Sequence, residues 1–357
     1  MQSNTSSALI QLMKELDGFD QNSRIYILAA TNAPEVLDPA LKRPGRFDAV
    51  IKMELPDKED RKVLLESFLE KNNLWNELTD EEMYKSTIVE KVARLTLGFS
   101  PAELKALVNE AAIEYYTIGK EGLGEFESAL LEMIDRRIVG ERHKKESASS
   151  EETQKENSLQ PGERKNTGAF AIAAHEVGHA LVNILENGGK EPFEKITIVP
   201  RGNTLGFVMR KPQEEPMMTR SEMLSQIRVC LGGRAVEEII FGYKNVSAGA
   251  VEDIYKATEI ARSMVFDYGM SKELGPMALR RRTNSYLETE TVYLCSEAVQ
   301  NKAENEVQKI LFEEMHNTMK MLEERKDMIE KLSALVVERE TMSGEEFLAE
   351  FKNLEEN

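Results

Sequence analysis

Two histidines four residues apart are the residues of this sequence best placed to do chemistry. His175-Glu176-Val177-Gly178-His179 is an HExxH motif within the apolar run AFAIAAHEVGHALVNIL, which predicts a buried helix. On a helix, residues i and i+4 share a face, so both imidazoles can bind one zinc ion while Glu176 reaches a water molecule on it. Zinc lowers the pKa of such a water and polarises a peptide carbonyl, and the glutamate carries the proton to the leaving amine. The motif predicts metal-assisted peptide hydrolysis.

A catalytic zinc also needs a third protein ligand and an open position for water. The other two of the four histidines are not favoured, because His143 lies in a charged stretch and His316 in a polar helical stretch. A carboxylate is therefore expected. The candidates are the pair Glu237 and Glu238, in GGRAVEEIIFG, and Asp253, in SAGAVEDIYKATEIARSMV. Spacing along the chain does not choose between them.

The composition of the 357 residues excludes several other classes of protein. The 46 basic and 63 acidic side chains give a net charge of −17, which argues against nucleic-acid binding. Cys230 and Cys295 lie far apart in apolar surroundings, so neither a disulfide framework nor a cysteine zinc site is expected, and a reducing compartment is favoured. We find no signal peptide and no run of roughly 18 apolar residues. The chain itself is therefore expected to be soluble.

A charged, Ser-rich and Gln-rich segment divides the sequence. Residues 141–166 contain one leucine and no other large apolar residue, which predicts a linker between residues 1–140 and 167–357. In the first region, a short helix is followed by two strand candidates, RIYILAATN (buried on both faces) and AVIKMEL, and then by four helical patterns. This region is predicted to be part of an α/β layer followed by a helical bundle.

The second region is predicted to be mainly helical. The segment KITIVPRGNTLGFVMR has the pattern of a β-hairpin with a Pro-Arg-Gly-Asn turn. Thr219 and Glu222 have the spacing of a capping box at the start of a helix. Further helices are expected at about 251–266, 287–323 and 325–336.

Long motifs in both regions occur in the order known from one family. In the second region these are HEVGHALV, KITIVPRGNTLGFVM, LGGRAVEEIIFG, SAGAVEDIYKATEIARSMV and YGMSKELGP. Together they resemble the protease domain of the FtsH family, the membrane-anchored AAA+ zinc proteases of bacteria, mitochondria and plastids. In the first region, ELDGFDQN, ILAATNAPEVLDPALKRPGRFD and LVNEAAIE resemble the second half of that family's AAA+ ATPase module. The resemblance implies an α/β fragment with a helical lid, followed by a mainly α-helical zinc metallopeptidase domain with a small β-hairpin.

The resemblance also implies roles for residues of the protease domain. The family's third zinc ligand is an Asp after a Gly-Ala pair, and Gly249-Ala250-Val251-Glu252-Asp253 places Asp253 there. Glu237 and Glu238 are then expected to be structural or supporting carboxylates. The hairpin at 195–209 is the expected substrate platform, where an extended polypeptide adds to the edge through main-chain hydrogen bonds.

In the ATPase half, the resemblance implies that Asn32 is the sensor residue near the γ-phosphate of ATP. Arg43 and Arg46 resemble arginine fingers that complete the nucleotide site of the next subunit, in a homo-hexamer or a ring with full-length relatives. The family uses Zn²⁺ and also ATP with Mg²⁺, but this sequence contains no GxxxxGK[ST] phosphate loop. We therefore expect little ATP hydrolysis by the chain alone, and membrane association only through a missing N-terminal part or partners.

Three interpretations follow for function. The first is a fragment of an ATP-dependent, membrane-anchored hexameric protease that degrades unfolded or membrane-derived proteins in protein quality control, facing cytoplasm, mitochondrial matrix or plastid stroma. The second is a naturally short metallopeptidase that works without ATP. The third is a non-ATPase interaction subunit of a hexameric ring. The complete set of His175, Glu176, His179 and Asp253 favours the first two.

Overall fold

The structure is a computed structural model that divides into two compact units. The smaller unit comprises Met1–Leu55 and Thr283–Glu290, and the larger comprises Pro56–Arg282 and Thr291–Asn357. The larger unit contains the HExxH motif. The residues that the structure describes are 10–16, 27–32, 37–43, 45–47, 49–72, 75, 82–118, 122–142, 168–188, 193–211, 218–284 and 289–356.

The smaller unit contains helical residues 10–16 and a 3₁₀ helix, Pro39–Lys42. The strand predictions for RIYILAATN and AVIKMEL are wrong where the structure describes them, because residues 27–32 and 49–55 are not strands. Leu28 is 92% exposed and Met53 is 88% exposed. A buried strand needs neighbouring strands to pair its backbone groups, and the described residues of this unit place no strand beside these segments.

The larger unit begins with a helical bundle that follows the four predicted helical patterns. Its helices are α1 (Lys58–Glu70), α2 (Glu82–Leu95), α3 (Pro101–Ile118) and α4 (Leu123–Ile138). Asp57 caps α1 by accepting a hydrogen bond from the Asp60 N–H at 2.9 Å. Fully buried leucines and Phe126 form the core between the helices, and α4 contributes Phe126, Leu130 and Met133 to it.

Eleven further α-helices and β-strands follow along the described part of the chain. They are α5 (Gly168–Glu186), β1 (Lys195–Thr197), β2 (Phe207–Met209), α6 (Arg220–Phe241), α7 (Val251–Arg262), β3 (Arg280–Asn284), β4 (Thr289–Tyr293), α8 (Glu297–Glu323), α9 (Lys326–Arg339), β5 (Thr341–Ser343) and α10 (Gly344–Glu355). The predicted capping box at Thr219 and Glu222 is present at the start of α6. The helix predicted over 287–323 begins ten residues late, because 289–293 forms β4 instead.

Helix α5 lies in the centre of a second hydrophobic core, separate from that of the bundle, and packs against α6 and α9. Judged by length and composition alone, it is the one helix in the described part of the chain that could cross a membrane. However, 61% of its most apolar stretch is buried inside the protein. Its burial on nearly every face explains the continuous apolar pattern around the HExxH motif.

The predicted β-hairpin is present as β1 and β2, which pair antiparallel with Lys195 opposite Met209. Its turn closes where Arg201 and Thr204 exchange backbone hydrogen bonds of 2.9 and 2.8 Å. Strand β5, which the sequence did not indicate, pairs with the other side of β1, so the strand order is β2-β1-β5. Strand β2 therefore lies at an edge of the sheet.

Candidate metal centre

Three metal-binding side chains from two helices meet at one point. His175 and His179 lie one turn apart on α5, and their Nε2 atoms are 3.1 Å apart. Asp253, in the first turn of α7, places its Oδ2 atom 3.3 Å from each of those nitrogens. Both histidines are buried and Asp253 is half-buried. Among the described residues, these three form the one group of His, Cys, Asp or Glu side chains that lie close enough together to share a metal ion.

The donor set fits zinc in its chemistry and its spacing. Zinc bonds of about 2.0–2.2 Å in a tetrahedron place neighbouring ligand atoms roughly 3.3–3.5 Å apart. The observed separations of 3.1 and 3.3 Å are close to that value. Two imidazoles and one carboxylate leave a fourth position open, which is the arrangement of a catalytic rather than a structural zinc site.

Helix α6 fixes the orientation of both imidazoles. The Nδ1–H of His175 donates to Oε1 of Glu237 at 2.7 Å, and the Nδ1–H of His179 donates to the carbonyl oxygen of Val229 at 2.7 Å. Glu237 in turn accepts from the backbone N–H and the hydroxyl of Ser247, at 2.6 and 2.9 Å. With Nδ1 protonated and held in this way, the lone pair of each Nε2 points to the shared position.

The sequence left Glu237 and Glu238 open as alternatives to Asp253. The structure places Glu237 on the Nδ1 side of His175, where it orients the ring, and it places Glu238 outside the cluster of three donors. Neither glutamate lies where Asp253 lies, beside both Nε2 atoms.

The charges around His175 favour a cation. Burial lowers the pKa of His175, but hydrogen bonds to Asp253 and Glu237 outweigh burial and raise that pKa to about 10. Burial raises the pKa of Asp253, and the hydrogen bonds from both histidines outweigh it and hold that pKa well below its usual range. The proton on Nε2 of His175, which faces Asp253, thus occupies the position where a metal ion would bind in its place.

Glu176 lies on α5 between the two histidines and lines the same cavity, which has a volume of about 1110 Å³. The side chain is buried, and that burial raises the pKa of its carboxyl group above the ordinary value. Strand β2 and Gly206, the residue before it, line this cavity beside Glu176. An edge strand, an acid–base group and a set of metal donors therefore share one cleft.

The close approach of α5 and α6 depends on glycines to which the motifs of the sequence assigned no role. A Cβ atom on Gly178 would lie 2.4 Å from the carbonyl oxygen of Gly232. A Cβ atom on Gly233 would lie 2.5 Å from Cε1 of His175. One feature of the sequence does indicate this contact, namely the Gly-Gly pair inside α6. Glycine destabilises the interior of a helix, so such a pair is expected where another backbone or a ring lies against the helix.

The residues implied to act in nucleotide binding lie in the smaller unit. Asn32 is exposed. Arg43 follows the 3₁₀ helix, and its carbonyl oxygen accepts the backbone N–H of Arg46 at 3.2 Å. The guanidinium of Arg46 donates to the carbonyl oxygen of Ala40 at 2.7 Å. Arg46 therefore holds the loop after the 3₁₀ helix, and the nucleotide roles of the three residues stay predictions.

Two family models match the sequence. The model of peptidase family M41 matches residues 163–349, and the model of the ATPase family associated with various cellular activities (AAA) matches residues 1–55. The metal cluster, Glu176 and the sheet all lie within the first match.

Several curated proteins are similar over nearly the whole chain. The ATP-dependent zinc metalloprotease FtsH of Clostridium perfringens is 37% identical over 342 residues, which cover 95% of this chain and 44% of the relative. FTSH 9, chloroplastic/mitochondrial, of Oryza sativa is 36% identical, covering 96% of this chain and 41% of the relative. FtsH of Thermotoga maritima is 37% identical, covering 95% and 51%. The chain spans about half the length of these relatives.

Proposed function

The chain belongs to peptidase family M41, the FtsH family, and from that premise we propose that it is a zinc-dependent metalloendopeptidase acting on unfolded or membrane-derived proteins. The observation that carries the proposal is the meeting of His175, His179 and Asp253, with separations of 3.1 and 3.3 Å between donor atoms, beside Glu176. We assign the zinc to these three side chains and the proton transfer to Glu176.

Bound zinc would supply a polarised substrate carbonyl and a water molecule of lowered pKa. Glu176 takes the proton from the attacking water and gives it to the leaving amine. The burial that raises its pKa suits both steps, because a carboxyl group with a pKa nearer neutrality can accept and release a proton. Glu237 and the carbonyl group of Val229 hold the imidazoles so that the donor atoms keep their positions.

Strand β2 is the proposed binding strand for the substrate. It lies at the edge of the β2-β1-β5 sheet and lines the cleft together with Glu176. An extended peptide can add to such an edge through main-chain hydrogen bonds, which do not depend on the peptide's side chains. This mode of binding accounts for a broad substrate range, as expected for an enzyme that degrades unfolded chains.

For the rest of the chain we propose the division that the family implies. Residues 1–140 form the C-terminal part of an AAA+ module, 141–166 a linker, and 167–357 the peptidase domain. Asn32, Arg43 and Arg46 act at nucleotide sites of a homo-hexamer or of a ring with full-length relatives, which bind ATP and Mg²⁺.

The test uses the full chain, loaded with zinc, and casein as a flexible substrate in the absence of ATP. We expect about one zinc per chain and slow cleavage. Glu176→Gln should retain the zinc and lose cleavage, whereas Glu238→Gln, a matched change on α6 outside the cluster, should keep both. Cleavage by Glu176→Gln at the wild-type rate would refute the assigned role. A zinc-loaded chain that binds casein without cleaving it would instead favour the interaction subunit.

A further inference from the structure

The loop that joins β1 to β2 carries a buried arginine that belongs to neither the sheet core nor the metal cluster. Arg201 is 6% exposed, and it donates to both carboxylate oxygens of Glu132, at 2.8 and 2.7 Å. Glu132 lies on α4 of the helical bundle. Asp135, about one turn further along α4, places its carboxylate 3.4 Å from the same guanidinium. Paired N–H donation of this kind is strong and fixes geometry as well as distance.

Two further ion pairs join the bundle to the start of β1. Asp135 is 4% exposed and also pairs with Lys195, the first residue of β1, so its carboxylate lies between two cations. Arg94 of α2 donates to Glu194, the residue before β1, at 2.8 Å. Asp135 is buried, and a buried charge is costly unless its partners stay in place, so its two pairs resist displacement of β1 and its loop relative to α4.

The backbone after α4 makes direct contact with the same loop. The N–H of Gly202 donates to the carbonyl oxygen of Glu141 at 2.9 Å, and Arg142 forms an antiparallel bridge with Arg201. Gly140 has a φ of +120°, and a Cβ atom there would lie 2.8 Å from Cα of Gly202. The two backbones therefore touch at a place where a side chain cannot fit.

The elements joined in this way form one wall of the cleft. Ile138 and Val139, at the end of α4, line the cavity that contains Glu176. At the far end of the loop, a Cβ atom on Gly206 would lie 3.0 Å from Cγ of Glu176, and β2 begins at the next residue. A shift of the loop relative to α4 therefore moves the edge strand relative to the acid–base group.

We propose that α4 positions the peptide-binding strand β2 through Arg201, Glu132 and Asp135, so that the helical bundle is a working part of the peptidase cleft. The inference rests on the proposed peptidase function and extends it. The three side chains are positioning residues, since they act through the loop. The metal donors and Glu176 lie on α5 and α7, and α6 orients the two imidazoles, so the step that depends on Arg201 is the binding of an extended peptide.

The test measures KM and kcat separately for cleavage of a quenched fluorescent peptide by the zinc-loaded full chain. Glu132→Gln keeps the shape of the side chain and removes its charge, and Arg201→Lys keeps the charge and removes the paired donation. We expect each to raise KM about tenfold with kcat changed less than about twofold, because a misplaced strand weakens substrate positioning. Zinc content should stay at the wild-type value.

Glu110→Gln is the matched control. It breaks a comparable pair, Arg137 Nη2 to Glu110 Oε1 at 2.6 Å, which joins α4 to α3 and does not involve the loop. It should leave KM unchanged. If Glu132→Gln and Arg201→Lys give the same KM as Glu110→Gln, the positioning role is refuted.

A binding measurement separates this inference from the proposed function. Fluorescence anisotropy with a labelled casein-derived peptide is recorded on zinc-loaded Glu176→Gln protein, alone and combined with Glu132→Gln. If the wild-type chain does not cleave, the peptidase proposal fails, and the anisotropy still decides whether the Arg201 cluster controls peptide binding. An about tenfold weaker Kd in the combined variant supports the cluster's role, and an equal Kd contradicts it.

Discussion

Gly233→Ala is the substitution that most sharply tests how α6 holds the metal centre. An added Cβ atom would lie 2.5, 2.6 and 2.7 Å from Cε1, Nε2 and Nδ1 of His175. Non-bonded carbon atoms are comfortable at about 3.5–4.0 Å, so the ring must move by roughly 1 Å. It cannot rotate away freely, because Glu237 binds its Nδ1 and Asp253 lies beside its Nε2.

The size of the effect follows from that displacement. Displacing a ligand by roughly 1 Å should lower zinc affinity by about 10–100-fold, the range seen when the support of a metal ligand is lost. Overpacking of a helix contact costs about 1–3 kcal/mol, partly offset by the ~1 kcal/mol by which Ala is the better helix former. We therefore expect the free energy of unfolding of the metal-free protein to fall by up to about 2 kcal/mol.

The assay is competition for zinc against a chromogenic chelator, with urea unfolding of the metal-free protein measured in parallel. Gly124→Ala, in the first turn of α4, is the matched control, since a Cβ atom there meets no atom within 4 Å. It should keep wild-type zinc affinity and lose no stability. If Gly233→Ala binds zinc as tightly as Gly124→Ala does, the account of the contact between α6 and His175 is wrong.

Three further predictions concern other contacts of the same unit. Glu237→Ala removes the acceptor for the first imidazole and should weaken zinc binding about 10–100-fold in the same chelator competition. Gly178→Ala places a Cβ atom 2.4 Å from a carbonyl oxygen of α6 and should lower the free energy of unfolding by about 1–3 kcal/mol in urea titration; no change would contradict the close approach. The hydrogen bond from Arg201 lowers the pKa of Glu132. The free energy of unfolding of the wild-type chain should therefore exceed that of Glu132→Gln by its full amount above about pH 4.3, and this difference should disappear as the pH falls through the lowered pKa. Unfolding measured against pH checks this, and a difference that grows on acidification would contradict it.

The local features of the site are the ones that sequence patterns predict well. The HExxH spacing alone places two imidazoles on one helix face, and the structure puts their Nε2 atoms 3.1 Å apart. The hairpin formed by β1 and β2 also follows from alternation and turn residues close together in the chain. Asp253 is different, because 74 residues separate it from His179, and the resemblance rather than the spacing selected it.

Features that depend on contacts between distant segments were not predictable. Strand β5 is three residues long and exists because it pairs with β1, so no local pattern indicates it. The pair between Arg201 and Glu132 joins residues 69 positions apart, each of which has the sequence context of an ordinary surface charge. Conversely, the apolar run that includes Leu28 has the composition of a strand, but it does not form one. Among the described residues, no neighbouring strand lies beside it to pair with its backbone.

Zinc K-edge X-ray absorption of the zinc-loaded full chain tests the central assignment most directly. We predict two imidazole nitrogens and oxygen ligands at about 2.0–2.2 Å, with no sulfur. Asp253→Ala should remove one oxygen ligand or release the metal, and Cys230→Ser, a change in the wall of the same cavity, should leave the spectrum unaltered. A sulfur ligand at about 2.3 Å, or a spectrum that Asp253→Ala leaves unaltered, would contradict the ligand set of His175, His179 and Asp253.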